Sequence, residues 1–103
     1  MKKKFKTVDL LTLYYGKPFP GCCYTNVIDI CEFLLNKHLG MTPIPNIAMQ
    51  KPITLQIKWL NALRLPDRKT NSAEWLENLL KTHGELTDLE PFDKKTVAQI
   101  LAK

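Results

Sequence analysis

The sequence predicts a small all-α single domain of four to five short helices, and three observations carry that prediction. Apolar residues recur at helical spacing in several stretches, most clearly at Val27, Ile30, Cys31, Leu34, Leu35 and His38. Helix-stopping residues, Gly16, Gly40, Pro66 and Gly84, follow four of those stretches. At 103 residues, with 45% hydrophobic and 24% charged residues, the chain can bury one modest core without a metal or a disulfide.

The first six residues carry Lys2, Lys3, Lys4 and Lys6 and read as a basic flexible tail, leaving 7–103 as the helical domain. Thr7 suits the cap of a helix over Val8 to Tyr15, with Asp9 in its first turn and Gly16 closing it. Lys17-Pro18-Phe19-Pro20-Gly21 is a turn-rich connector. Asn26 suits the cap of the next helix, whose last turn holds Lys37 and His38 before Gly40.

Met41 to Pro52 contains three prolines and reads as a connector with one irregular turn around Asn46 to Gln50. Ile53 to Trp59 is ambiguous. Ile53, Leu55, Ile57 and Trp59 alternate with polar residues as a half-buried strand would. Pro52 also suits a first helical turn, and Ile53, Ile57, Leu60 and Leu63 fit a helical face. Helix is favoured, because no other run alternates and a strand at 53–59 lacks a visible partner. Asn71 with Glu74 forms a capping box for a helix bearing Trp75, Leu76, Leu79 and Leu80. Beyond Gly84 an acidic connector leads through Pro91 to Asp93, which caps a last helix striped with Val97, Ile100 and Leu101.

The net charge of +5 is uneven. Residues 51–69 carry Lys51, Lys58, Arg64, Arg68 and Lys69 against Asp67, while Glu74 to Asp93 holds six carboxylates and one lysine. No apolar run approaches the roughly 20 residues that span a bilayer. Asp9 interrupts the patch after the leading lysines, so a signal peptide is not expected. Three cysteines, an odd set, suit a reducing compartment, and a cytoplasmic location without membrane association is the expectation.

No residue constellation predicts catalysis. Adjacent Cys22 and Cys23 point differently, and Cys31 and His38 on one helix would lie roughly 10 Å apart along its axis, too far for one ion. His38 and His83 each precede a helix-ending residue and read as helix-end partners. The four glycines are scattered, so no phosphate loop exists. The expectation is a non-enzyme with neither metal nor cofactor.

Two segments could bind a macromolecule. The acidic connector, with Glu85, Asp88, Glu90 and Asp93, could face a basic partner surface. Tyr15 and Phe19 could add aromatic anchors beside it, or seal one end of the core. The basic segment, with Lys51, Lys58, Arg64, Arg68 and Lys69 around Trp59, could hold nucleic acid with help from the lysine tail.

The order of elements resembles a family of small, uncharacterised phage and prophage proteins. The resemblance lies in Leu11 to Gly16, in the apolar helix Val27 to Gly40, and in the connector Thr42 to Asn46. It extends to a late block of Trp75, Leu76, Gly84, Glu85 and Pro91, with His83 where the family usually has tyrosine. The resemblance implies a phage or prophage protein that binds a host protein and inhibits a defence or nucleic-acid-processing complex. The alternative is a small DNA- or RNA-binding accessory protein using the basic tail and the 51–69 segment.

Overall fold

A computed structural model describes residues 2–38, 46–63 and 72–102. In chain order these form β1 (Lys3–Lys6), α1 (Thr7–Tyr15), α2 (Tyr24–Leu35), α3 (Asn46–Gln56), a short 3₁₀ helix (Lys58–Ala62), α4 (Ser72–His83), β2 (Leu86–Leu89) and α5 (Lys94–Leu101). The fold is the predicted one, mostly helical and small, with one two-stranded antiparallel sheet added to it.

The centre of the fold is α1. Its first seven residues, Thr7 to Leu13, are all buried, and α2, α3 and β1 pack around it. A helix so enclosed must satisfy its polar groups internally. Thr7 Oγ1 donates to the Gly84 carbonyl at 2.8 Å and shares a 2.7 Å hydrogen bond with Thr87. Thr12 Oγ1 donates to the Val8 carbonyl and accepts from the Phe19 amide at 3.3 Å. At the far end, Gln50 Nε2 reaches the Tyr14 carbonyl at 2.8 Å, meeting one of the acceptors a helix C-terminus leaves open.

Asp9, a carboxylate at 1% exposure, is enclosed with them. Its Oδ1 accepts from the Cys23 amide at 2.9 Å and its Oδ2 from Asn26 Nδ2 at 3.2 Å. Cys23 is the N-cap residue of α2 and makes no side-chain cap of its own. One helix therefore caps the next: the Asp9 carboxylate lies at the positive end of α2. Among the described residues no lysine or arginine bridges it. Asn26, expected as the cap, lies inside α2 and serves as the second donor.

Thr7, likewise expected as a cap, lies inside α1, whose N-cap is Lys6. Beyond these two caps, four sequence expectations change. Residues 1–6, read as a flexible tail, contain β1, whose register pairs Lys3 with Leu89, Lys4 with Asp88, Phe5 with Thr87 and Lys6 with Leu86. Phe5 is buried and tilts against Phe33 at 5.2 Å, which anchors the strand. The acidic connector likewise contains β2. The α2 helix ends at Leu35, before Lys37 and His38, because Asn36 takes a left-handed conformation with φ 50°.

The fourth change concerns residues 46–59. The expected turn at Asn46 to Gln50 and the helix after Pro52 form one helix, α3, with Pro52 inside it. The alternative strand at 53–59 is not formed. Burial decides between the two periods: Ile53 and Ile57 are buried while Leu55 is 73% exposed, a helical split that no strand would produce. The expected capping box at Asn71 and the helix stop at Gly40 lie outside the described residues.

Replacing Asp9 with alanine leaves the Cys23 amide and the Asn26 side chain without an acceptor. Asp9→Ala should lower the unfolding free energy by about 2–3 kcal/mol, and Asp9→Asn by less, since one acceptor survives. Urea denaturation with an unchanged m-value checks this. Wild-type stability in Asp9→Ala would dismiss the capping role.

Candidate functional site

The two predicted surfaces fare differently in three dimensions. In the acidic group, Asp88 pairs with Lys4 at 3.0 Å across the sheet. Asp93 is the N-cap of α5, its Oδ1 accepting from the Thr96 amide at 2.7 Å. That bonding to Thr96, side chain first and backbone second, lowers the Asp93 carboxyl pKa, and Lys95 assists. Glu90 is held by its backbone: Gln56 Oε1 accepts its amide and Gln56 Nε2 donates to its carbonyl, both at 2.8 Å. Glu85 gives its carbonyl to the Thr7 amide. The side chains of Glu85 and Glu90 are exposed, whereas Asp88 and Asp93 are already occupied within the chain.

Of the two aromatic residues, Tyr15 is half-buried and Phe19 is buried at 8% exposure. Tyr15 packs edge-on to Tyr14 at 5.0 Å and lies 6.0 Å from Phe19, which stacks on Trp75 of α4 at 6.0 Å. Burial, and secondarily Tyr14, raise the Tyr15 hydroxyl pKa. Phe19 thus seals the core between α1 and α4, the second of the two uses its sequence position allowed.

In the basic group, Lys51 is exposed on α3 and Lys58 on the 3₁₀ helix. Arg64, Arg68 and Lys69 lie outside the described residues. Trp59 is half-buried and stacks on His83, ring centroids 3.9 Å apart and planes 10° from parallel. His83 therefore joins the end of α4 to the 3₁₀ helix through its ring face. His38, beyond the end of α2, pairs through Nδ1 with Glu32 at 2.9 Å.

The thiols have separate surroundings. Cys31 is fully buried, its Sγ 3.5 Å from Met49 Sδ. Burial, aided by Glu32, pushes its thiol pKa up to about 12. Cys22 is half-buried and Cys23 exposed. Among the described residues, no three histidine, cysteine or acidic side chains gather to hold a metal ion, and no helix is long and apolar enough to cross a membrane.

One feature escaped the periodicity. The outer face of α3 presents Ile47 at 79% and Leu55 at 73% exposure, with Lys51 midway at i+4 from the first and i−4 from the second. The buried face of the same helix, Met49 and Ile53, points the opposite way. The sequence signal is an excess of apolar residues over what one helical face can bury, masked by the prolines around Ile47.

No protein-family model matches the chain, nor does any curated protein or solved structure.

Two outcomes follow from these environments. Iodoacetamide at neutral pH should alkylate Cys23 in the native protein while Cys31 reacts only on unfolding, as mass spectrometry of the peptides will read; equal rates would contradict the buried thiol. For Asp93, a lowered folded pKa means a stabilisation present above the unfolded carboxyl value and lost as pH falls through the folded one. Asp93→Asn, a comparable cap without a titrating group, should flatten the acid limb of the stability curve; an unchanged limb would remove Asp93 from it.

Proposed function

We propose that this chain is a non-enzymatic interaction protein that binds another protein through the outer face of α3. The observation that carries this reading is the stripe of Ile47, Lys51 and Leu55. Single exposed aliphatic residues are ordinary on any surface. Two large ones, each about three-quarters exposed and separated by one lysine on one helical face, have the make-up of a docking patch. A surface meant for phosphates alone gains nothing from isoleucine and leucine.

The matching partner surface is an apolar groove with an acidic rim, the aliphatic side chains supplying buried area and Lys51 and Lys58 the orientation. The resemblance of the sequence to phage and prophage proteins directs the choice of partner to a host protein within a defence or nucleic-acid-processing complex. The carboxylates of Glu85 and Glu90 form a second, separable surface for that partner.

Ile47→Asp combined with Leu55→Asp tests the reading. Both positions face solvent, so stability should change by no more than about 0.5 kcal/mol each. Host proteins retained by the wild type in quantitative affinity capture should be lost with the double variant, and the purified pair should weaken at least about tenfold by calorimetry. Undiminished binding would discard the α3 face. Loss only on Glu85→Gln with Glu90→Gln would move the contact to the connector. A shift of oligonucleotide mobility that falls steeply with salt, and with Lys51→Ala and Lys58→Ala, would favour the nucleic-acid alternative.

A further inference from the structure

The two-stranded sheet has two outer edges, and they are treated differently. The Thr7 amide donates to the Glu85 carbonyl at 2.8 Å, continuing the β1–β2 register by one pair. In an antiparallel ladder, hydrogen-bonded and non-bonded pairs alternate. Lys3 and Phe5 therefore direct their backbone groups toward β2, while Lys4 directs its amide and carbonyl outward from β1. By the same parity Leu86, Asp88 and Glu90 face outward on the β2 side. There the Gln56 side chain occupies both groups of Glu90, its amide taking the place of a neighbouring strand. On the β1 side no described residue bonds the outward groups of Lys4.

We propose that the outer edge of β1 is a site for β-strand addition, and that its occupant is an extended, acidic segment of another protein. Backbone hydrogen bonds to Lys4 would supply the pairing, and the lysines would select the side chains. The chain contains a working instance of the chemistry: β2 sets Asp88 directly opposite Lys4, where the two ions meet at 3.0 Å. Lys6 stands opposite Leu86 and has no carboxylate facing it in the register, and Lys2 is exposed. Lys3 is engaged with the rings of Phe5 and Phe33 at 5.3 and 6.0 Å. A strand added beside β1 with carboxylates at alternate positions would complement Lys6 and Lys2 as Asp88 complements Lys4.

A second copy of this chain is disfavoured as the occupant. Pairing β1 with β1 would set lysines against lysines, the arrangement by which edge strands resist self-association. The same charges that refuse a copy admit an acidic strand. The proposal stands apart from the α3 surface, on a different element, so the two fail separately.

The test uses the full chain and a fluorescent peptide of eight residues alternating glutamate and valine, read by anisotropy. Lys4→Pro removes, besides the side chain that pairs with Asp88, an outward amide that the β1–β2 ladder does not use, so the fold tolerates it. It should weaken the peptide by about tenfold, the value of one backbone hydrogen bond near the top of its usual range, whereas Lys4→Ala, which keeps the amide, should weaken it less. Wild-type protein with a peptide N-methylated at every second residue should show a comparable loss, which keeps the result independent of how Lys4→Pro folds. Absence of binding, or binding undiminished by Lys4→Pro and by N-methylation of the peptide, would overturn the proposal. So would an oligonucleotide of similar charge that binds as tightly and loses as much to Lys4→Pro, since that is attraction to lysine charge alone. Retention in Ile47→Asp/Leu55→Asp separates this edge from the α3 face.

Discussion

The structure depends on the burial of polar groups in α1. A helix enclosed from Thr7 to Leu13 cannot send its polar side chains to water, so each must be met by a neighbour. Thr7 fixes the end of α4 and the start of β2, Asp9 the N-terminus of α2, and Thr12 the connector at Phe19. The hydrophobic effect supplies most of the free energy of folding but no direction. These few hydrogen bonds supply the direction, and among the described residues no buried side-chain nitrogen or oxygen is left without a partner.

The same economy explains the charge layout. The linear sequence looks strongly dipolar, basic at its start and acidic after Gly84, yet the fold brings those two segments side by side as β1 and β2. Lys4 and Asp88 cancel across the sheet, and Asp93 is consumed as a helix cap. Exposed ion pairs of this kind contribute little to stability; their effect is on which charges remain available. What remains is Glu85 and Glu90 beside β2, Lys2 and Lys6 along β1, and, separately, the Lys51 stripe of α3.

The candidate surfaces were legible to different degrees. Asp93 as a cap could be read directly, because an N-cap is a local signal spanning four residues. The Ile47–Leu55 stripe could not, since three prolines between Met41 and Pro52 argue locally for a connector, and proline suits a helix start rather than the interior position that Pro52 occupies. Tertiary packing of Met49 and Ile53 against the core outweighed the local preference of proline, which costs a helix about 3 kcal/mol. Phe19 was ambiguous for a comparable reason: an aromatic beside prolines can point inward or outward, and only the Trp75 ring decides it.

By itself the sequence determined what repeats locally: the helices of α1, α2 and α4, the glycine stops at Gly16 and Gly84, the Asp93 cap, and a single small helical domain. Periodicity and capping act over one or two turns, so they survive in the linear chain. Tertiary structure decided everything that joins distant residues. The β1–β2 pair links the two ends of the chain, Asp9 caps a helix that is not its own, and Gln56 closes one edge of a sheet whose other edge no described residue bonds. Such partners leave no periodic trace, because their physical basis is the satisfaction of buried or edge hydrogen bonds across space rather than along the sequence.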